Sequence, residues 1–440
     1  MIMNPDNNIT LKTSENKKPT TMTNPLATSL LETYTPPTWL KNSISAEFVP
    51  KQKLNLSMKN TPIHPWNLKE IEQTDFKFFI KREDLNESIL GGNKIKKLEF
   101  SLAKAIEENC NHVITTGTIV SNHCRTTAIV CAKLGLKCTM LQQTDEDDSE
   151  KIIDTGLKGN LLLSMMTDAN CIMIPKKKSV SEVNDMLDEA REKIEMFNGD
   201  KTFMILRGGT QMNAIFSGIE LFKELIPTLE KEEITDICVT SGSGGTGVSL
   251  ALANRIWYEN SENAQKRKIQ VHGIRVWGDN SDGARILKTE LHDLNLPYEQ
   301  YKNIITYHDD YCKAGYGVSN PNVEKLALSA MKHTGVALCT TYTGKAAQGM
   351  VDMVNKCPEK FSGKRILFVH TGGIPGLWGD DSLCKAVQAD TKNSNNKIQT
   401  FDQAFGRKSM ETSGYNSDSG ACFRNSIDMN SSYLEQNVVV

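Results

Sequence analysis

Short apolar runs alternate along the middle of the chain with segments in which apolar residues recur at helical spacing. The runs predict strands at residues 76–81, 113–116, 137–142, 234–240, 271–276 and 365–370. The helical spacing predicts helices at residues 95–107, 121–134 and 248–257. Strand, glycine-containing loop, helix and strand follow one another repeatedly, which is typical of parallel sheets with right-handed connections. The pattern therefore predicts an α/β fold built on open parallel sheets.

Composition narrows the class of protein. The chain has 440 residues and a net charge of −2, so its charge gives no sign of a nucleic-acid or anionic-membrane partner. No apolar run approaches the roughly 18 residues of a membrane helix, and the start lacks the apolar segment of a signal peptide. We therefore expect a cytoplasmic protein without nucleic-acid or membrane partners, an organellar location being the alternative.

The two ends and the cysteines carry little chemistry. Residues 1–33 and 388–440 are rich in Asn, Ser and Thr and are predicted to be disordered tails, because they are too polar to bury a core. The 11 cysteines form no C-x-x-C pair, so neither a disulfide framework nor a metal site is predicted. Cys124, Cys131 and Cys138 recur at every seventh residue and are predicted to be small buried side chains.

The segment around Lys94 is the first candidate for chemistry. Two glycines precede Asn93, which is predicted to cap a helix whose first turn contains Lys94. The positive field of a helix N-terminus disfavours an ammonium ion there, and a neutral amine can attack an aldehyde. Lys96 and Lys97 continue the basic run and are predicted to face solvent. The alternative is a glycine turn before a basic surface helix.

A second candidate follows the predicted strand at 113–116. Backbone N–H groups at the start of the next helix, with the Ser121 hydroxyl and the Asn122 amide, are suited to hold a carboxylate or a phenolic oxygen. The alternative is that Ser121 only caps the helix. A single histidine on a helix, such as His123, is more often structural.

A glycine-rich loop at residues 240–247 is the third candidate. Its free N–H groups and hydroxyls are suited to surround an anion. Gly242, Gly244 and Gly247 also satisfy G-x-G-x-x-G, the pattern of dinucleotide-binding folds. Such folds place an acidic residue roughly 20 positions further on, whereas the next strand-end acid here is Asp279. The loop therefore fits a phosphate monoester better than the pyrophosphate of a nicotinamide dinucleotide.

Two further segments end strands or follow apolar runs. Tyr342, in Tyr-Thr-Gly-Lys, has a ring that can stack on a pyridine, although a core tyrosine is the alternative. Thr371 follows His370 at the carboxyl end of the last predicted strand, where ligands of parallel sheets bind. The alternative there is an ordinary exit from a strand to a loop.

In their order along residues 35–382, these segments resemble the family of D-cysteine desulfhydrase and 1-aminocyclopropane-1-carboxylate (ACC) deaminase. The likeness includes Lys-Arg-Glu-Asp at 81–84, Gly-Gly-Asn-Lys at 91–94, Ser-Asn-His at 121–123 and Gly-Tyr-Gly at 315–317. It implies the type II pyridoxal-phosphate fold, two open parallel-sheet α/β domains with the cofactor between them, and a homodimer. Residues 34–100 plus 216–387 would form the large domain, and residues 101–215 the small one.

The resemblance also implies roles for individual residues. Lys94 would carry pyridoxal 5′-phosphate as a Schiff base and shuttle the Cα proton of the substrate. The remaining cofactor contacts would come from Asn122, Gly242, Ser243, Gly244, Gly245, Thr246, Tyr342 and Thr371. Ser121, Tyr316 and Tyr342 would assist catalysis, and the substrate would contact Ser121, Asn122 and His123.

The implied reaction is β-elimination of D-cysteine to pyruvate, hydrogen sulfide and ammonia. The resemblance implies that the deaminases have a glutamate directly after the stacking tyrosine. This chain has Thr343 at that position, and Thr371 is a second residue with a neutral hydroxyl. Three departures from many relatives leave the substrate open: Val120, Cys339 and the stretch 207–211, which lacks the more usual Gly-Gly-Ser-Asn. The alternatives are ACC deamination to 2-oxobutyrate, another amino-acid β-eliminase or racemase, and a cofactor-binding protein without activity.

Overall fold

The computed structural model describes seven stretches of the chain, residues 25–40, 43–144, 157–175, 179–260, 268–278, 280–313 and 315–393. Its strands are β1 (Leu31–Thr33), β2 (Gln52–Leu54), β3 (Ile63–Pro65), β4 (Lys77–Arg82), β5 (His112–Thr118), β6 (Lys137–Thr144), β7 (Asn170–Pro175), β8 (Thr202–Ile205), β9 (Asp236–Ser241), β10 (Gln270–Arg275), β11 (Thr306–His308) and β12 (Arg365–His370).

Helices follow most of these strands. They are α1 (Pro25–Leu30), α2 (Lys94–Glu107), α3 (Asn122–Leu134), α4 (Gly159–Met165), α5 (Val180–Asn198), α6 (Ile215–Lys231), α7 (Gly245–Asn260), α8 (Asn280–Asp293), α9 (Tyr298–Tyr301), α10 (Pro321–Thr334), α11 (Thr343–Lys356) and α12 (Asp381–Asn393). Within the seven described stretches, every helix is too short or too polar to cross a membrane.

Two sheets confirm the predicted parallel α/β class. The larger has the strand order β11-β10-β9-β12-β4-β3 and the smaller has the order β7-β6-β5-β8. All neighbouring pairs in them are parallel except β3 with β4. The six predicted strands correspond to β4, β5, β6, β9, β10 and β12, and the three predicted helices to α2, α3 and α7.

Successive side chains along the strands of the larger sheet point to opposite faces, and a hydrophobic core lies on each face. Leu367 and Val369 of β12 pack in the cluster that contains α6 and α7, whereas Ile366 and Phe368 pack with α10 and α11. Successive strand residues point to opposite faces, so a strand covered by helices on both sides is apolar throughout. Residues 366–369 form a continuous apolar run because helices cover β12 on both faces of the sheet.

The smaller sheet packs against α2 and α3 on one face and α5 on the other. Cys124, Cys131 and Cys138 lie in the first of these clusters, which confirms the prediction of buried side chains. Helix α2 also contributes Phe100 to the core of the larger sheet. The predicted domain boundary between residues 100 and 101 therefore falls within a helix that serves both cores, and the division into two domains remains a prediction.

The ordered chain extends further at both ends than the predicted tail boundaries. α1 and β1 lie within residues 25–33, where Ala27 and the partly buried Leu30 and Leu31 pack against the core of the smaller sheet. α12 continues past residue 387. Residues 1–24 and 394–440 lie outside the described residues, so the prediction of disorder is untested there.

Lys96 does not face solvent, contrary to the prediction from the basic run. Its side chain is buried, and its Nζ lies 3.2 Å from Glu83 Oε1 and 2.8 Å from Glu224 Oε1. Burial alone would lower the pKa of Lys96, but the two carboxylates outweigh it and raise the pKa. Lys81 Nζ lies 2.7 Å from the other oxygen of Glu224, so the four charges form one buried network between β4, α2 and α6.

We expect Lys96→Met to lower the free energy of unfolding by about 3–5 kcal/mol, because it leaves two buried carboxylates with Lys81 as their remaining cation. Urea unfolding followed by circular dichroism measures the change. Lys104→Met is the matched control on the same helix, since Lys104 pairs with Glu107 at the surface and such pairs contribute less than about 1 kcal/mol. Equal losses in the two variants would contradict a structural role for the network.

Candidate active site

A cavity of about 450 Å³ lies where strands of both sheets end. Residues at or beyond the carboxyl ends of β5, β6, β9, β10 and β12 line it, as expected for ligand sites of parallel sheets. The predicted site residues that line it are Lys94, Ser121, Asn122, His123, Gly242, Ser243, Gly244, Thr246, Tyr316, Tyr342 and Thr371. Gly245 is the predicted site residue outside this set.

Lys94 is the first residue of α2, and its Nζ donates a hydrogen bond of 3.0 Å to the carbonyl of Gly208. Burial, and then the positive charge of Lys97, hold the pKa of Lys94 well below its usual value. The sequence predicted a neutral amine from the field of the helix N-terminus, and removal of the amine from water favours the neutral form as well. The amine of Lys94 is therefore suited to act as a nucleophile and a base at neutral pH.

Lys97 also does not face solvent, contrary to prediction. Its side chain is buried, and its Nζ donates a hydrogen bond of 3.2 Å to the same Gly208 carbonyl. Gly208 has a left-handed backbone, and a Cβ there would lie 2.4 Å from Ser243 Oγ. Only glycine therefore lets this carbonyl approach both lysines beside the glycine-rich loop.

The glycine-rich loop joins the end of β9 to the start of α7. The first N–H groups of a helix have no acceptor within the helix, so the α7 N-terminus offers donors beside Gly242, Ser243 and Gly244, which line the cavity. Gly244 has φ 83°, and a Cβ there would lie 2.7 Å from Ile286 Cδ1. The loop has the geometry of an anion-binding turn.

Asn93 holds this loop instead of capping α2. Its backbone has helical angles, and no cap bond is formed by its side chain. The Asn93 Nδ2 donates a hydrogen bond of 2.7 Å to Thr246 Oγ1. The amide therefore links the segment that carries Lys94 to the first turn of α7.

The Ser121–His123 segment opens α3. Ser121 Oγ accepts a hydrogen bond of 3.2 Å from the Cys124 amide, so the capping alternative is confirmed, and the side chain also lines the cavity. Asn122 Oδ1 is buried with no hydrogen-bond partner within the described part of the chain. His123 Nε2 lies 2.9 Å from Thr115 Oγ1. Burial, then Lys94 and Lys97, hold the pKa of His123 well below its usual value, so its imidazole is neutral.

Two tyrosines form an aromatic wall of the cavity. The hydroxyls of Tyr316 and Tyr342 are in hydrogen-bond contact, and their ring centroids lie 5.8 Å apart at 75°. A Cβ at Gly242 would lie 3.7 Å from Tyr342 Cε1, which places this ring beside the glycine-rich loop. Burial raises the pKa of Tyr342 well above its usual value, and the Tyr316 phenol adds to the effect. Both phenols are therefore neutral hydrogen-bonding groups.

Thr371, and not Thr343, places a hydroxyl-bearing side chain at the cavity wall. Thr343 is fully buried, and its Oγ1 accepts a hydrogen bond of 3.0 Å from the Cys339 amide. Thr371 lies beside the start of α2, because its carbonyl accepts a hydrogen bond of 3.1 Å from the Asn93 amide. Among the described residues that line the cavity there is no aspartate or glutamate.

Sequence reasoning did not find three further residues of the cavity wall, Gln143, Arg207 and Trp277. The Arg207 guanidinium lies 5.2 Å from the centre of the Trp277 ring and donates a hydrogen bond to Gln143 Oε1. The three come from segments far apart in sequence, and none has a motif of its own. The available signal was the departure from the family pattern in the stretch 207–211, which contains Arg207.

Two of the departures from the family pattern share a second cavity of about 540 Å³. Val120 and Cys339 both line it, and neither lines the cavity of Lys94. The two cavities have Asn122 and Tyr342 in common, so they adjoin. Val120 exposes 41% of its surface and leaves an apolar side chain at this position.

Comparison with known proteins agrees with this geometry. The model of a family described as pyridoxal-phosphate dependent enzymes matches residues 54–372. The bifunctional D-cysteine desulfhydrase/ACC deaminase of Arabidopsis thaliana, named as mitochondrial, is 32% identical over 350 residues, which are 78% of this chain and 83% of that protein. The D-cysteine desulfhydrase of Klebsiella pneumoniae is 33% identical over 312 residues, which are 68% of this chain and 88% of that protein.

A solved structure supports the same relationship. The crystal structure of an ACC deaminase homologue superposes with a TM-score of 0.65 and 28% sequence identity. The match covers 79% of this chain and 97% of that one. The fold is thus that of the type II pyridoxal-phosphate enzymes, as the sequence predicted.

Proposed function

This chain belongs to the pyridoxal-phosphate dependent enzymes, within the family of D-cysteine desulfhydrases and ACC deaminases, and we propose that it catalyses β-elimination of D-cysteine. Its cofactor is pyridoxal 5′-phosphate. The products would be pyruvate, hydrogen sulfide and ammonia, formed from cysteine and one water molecule.

The cavity fits this cofactor. The loop at residues 242–246 offers backbone donors for a phosphate, and Lys94 presents a neutral amine for the aldehyde. The buried Asn122 Oδ1 and Thr240 Oγ1 have no partner within the described residues, which leaves polar groups ready for a ligand. Tyr342 lies beside the loop, where its ring can stack on a pyridine.

The absence of a carboxylate among the described cavity-lining residues is the observation that favours elimination. When bound, pyridoxal phosphate supplies a sink for the electron pair released at Cα. An acid would hold the pyridine nitrogen protonated and strengthen that sink, whereas the neutral hydroxyl of Thr371 would not. A thiolate is a good leaving group, so its elimination needs less carbanion stabilisation than the opening of a cyclopropane.

Residues of the cavity would carry out each step of the proposed reaction. The Lys94 amine would remove the Cα proton, because burial and the charge of Lys97 favour its unprotonated form. The electron pair of the Cα–H bond forms a double bond to Cβ, and the Cβ–S pair leaves with the sulfur. Ser121 and the α3 N-terminus would hold the substrate carboxylate, with neutral His123 beside them. The phenols of Tyr316 and Tyr342 would hydrogen-bond the reacting groups.

ACC deamination is the second candidate, because the name of the Arabidopsis relative includes both activities. It requires a proton acceptor and donor around the cyclopropane ring and the same lysine-bound cofactor. A carboxylate at the pyridine nitrogen would favour it, and the described residues that line the cavity include none.

Product analysis separates the two candidates. Purified holoenzyme is assayed with D-cysteine, L-cysteine and ACC, and pyruvate and 2-oxobutyrate are quantified by chromatography. We expect pyruvate from D-cysteine with kcat/KM at least about 100-fold above that for 2-oxobutyrate from ACC. Lys94→Ala protein provides the background for the non-enzymatic reaction of cysteine with free cofactor. Dominant 2-oxobutyrate would assign the protein to the deaminases, and turnover of L-cysteine alone would reverse the chirality.

Assembly and location are also proposals. We propose a homodimer, a cytoplasmic location, and the division into a large domain (34–100 plus 216–387) and a small domain (101–215). The strands of the smaller sheet all come from residues 112–205, which supports the third proposal. The mitochondrial name of the Arabidopsis relative makes an organelle the alternative location.

A further inference from the structure

A buried lysine and a buried glutamate pack against the rear of the glycine-rich loop. A Cβ at Gly245 would lie 2.9 Å from Lys97 Nζ and 3.0 Å from Glu290 Oε1. Both side chains are almost fully buried, and Gly245 itself does not line the cavity. The two functional groups therefore occupy the space that a larger residue 245 would fill, directly behind the proposed phosphate-binding N–H groups.

The carboxyl of Glu290 lacks the contacts that usually stabilise a buried carboxylate. Its Oε2 is buried and has no hydrogen-bond partner within the described part of the chain. Lys97 instead directs its Nζ to the carbonyl of Gly208. Burial raises the pKa of Glu290 to about 8, although the charge of Lys97 opposes the effect. Burial and the missing hydrogen bond at Oε2 therefore both favour the protonated form of this carboxyl.

An ionised carboxyl at this place would conflict with the ligand of the loop. A phosphate monoester carries roughly −1.5 to −2 charges at neutral pH. A buried negative charge behind the loop would repel it with little screening, whereas a protonated Glu290 leaves Lys97 as the charge nearest to Gly245.

We propose that Glu290 is a positioning residue that keeps its proton while phosphate occupies the loop, so that cofactor binding raises the pH at which Glu290 ionises. The proposal rests on the proposed placement of the cofactor phosphate at residues 242–246. Glu290 belongs to α8 and comes from a segment without any family motif, so no sequence signal pointed to it.

Within the described residues, the titratable groups that interact with Glu290 are Lys97, Asp293 and Tyr307. Lys97 interacts with it from α2. Tyr307 on β11 is a neutral phenol, because burial and then Glu290 raise its pKa. Asp293 follows on α8 itself, near the surface, and its charge favours the protonated form of Glu290. Lys97 is therefore the cation whose charge changes with that of Glu290.

Infrared difference spectroscopy tests the proposal on the full-length holoenzyme. The spectrum of wild type minus Glu290→Gln isolates the bands of this carboxyl, and a protonated acid is resolved from a carboxylate. We expect an acid band at neutral pH that disappears on raising the pH, at a midpoint at least about one pH unit higher with cofactor bound than after its removal. A merely structural glutamate would show no dependence on the cofactor.

The controls separate the failure of this proposal from failure of the proposed function. The spectrum of wild type minus Asp293→Asn, a substitution on the same helix, should lack the band of Glu290. Glu290→Asp keeps a carboxyl and supplies a shifted acid band if Glu290→Gln does not fold. Carboxylate bands for Glu290 at neutral pH, or equal midpoints with and without cofactor, would overturn the role of Glu290. Protein that takes up no pyridoxal phosphate would overturn the proposed function instead.

Discussion

Lys94→Ala protein is expected to lose the visible absorbance of the lysine-bound cofactor and to convert D-cysteine at least about 10³-fold more slowly than wild type. The variant removes the nucleophile that holds the cofactor and the base that takes the Cα proton, since both tasks belong to one amine. Absorbance spectra of the purified protein and pyruvate formation measure the two losses.

Lys104→Ala is the matched control for Lys94→Ala, because Lys104 lies on the same helix with its side chain at the surface. It should keep cofactor and turnover. A small primary amine added to Lys94→Ala protein should restore part of the proton transfer. Full turnover by Lys94→Ala protein without added amine would contradict the role of this lysine.

The second large effect is expected at Gly372. Gly372 has φ 100°, and a Cβ there would lie 2.5 Å from the Cα of Gly92 and 3.0 Å from the carbonyl of Gly91. These are backbone atoms, so Gly372→Ala must push the segment that carries Lys94 away from Thr371. We expect the free energy of unfolding to fall by about 1–3 kcal/mol because of the steric overlap. The left-handed backbone should lower it further, by about 1–2 kcal/mol. The amount of bound cofactor per mole of protein should fall together with the stability.

Gly335→Ala separates these two contributions. Gly335 also has a left-handed backbone, with φ 68°, but a Cβ there would meet no atom within 4 Å. Gly335→Ala protein should therefore lose only the stability that the left-handed backbone accounts for, and it should keep its cofactor. Urea unfolding and absorbance per mole of protein compare the two variants. If Gly372→Ala protein matched Gly335→Ala protein in stability and cofactor content, the close approach of the two segments would have no function.

The sequence predicted the elements whose cause is local. The strand β12 follows from a continuous apolar run and the helix α3 from helical spacing of apolar residues, and Gly135 ends α3 with φ 69° in the left-handed region that glycine favours. The site loops were found for the same reason, since each begins or ends such an element. The prediction that these loops meet in one cavity came from the family resemblance, because no local pattern specifies which loops lie together.

The errors concern side chains whose partners are distant in sequence. Lys96 and Lys97 were predicted to face solvent because charged side chains are rarely buried without partners. Lys96 finds Glu224 at a separation of 128 residues. Lys97 finds the Gly208 carbonyl at a separation of 111 residues. Asn93 likewise bonds Thr246 instead of its own helix. Tertiary pairing of this kind is invisible in a window of neighbouring residues.

Borohydride reduction followed by peptide mass spectrometry tests most directly which amine carries the cofactor. Lys94 and Lys97 contact the same carbonyl and lie three residues apart, so the structure leaves two amines near the loop. Burial lowers the pKa of both, and of the two only Lys94 lines the cavity. We expect the reduced cofactor to be attached to Lys94 alone. Attachment to Lys97, or no attached cofactor, would contradict the assignment of the catalytic lysine.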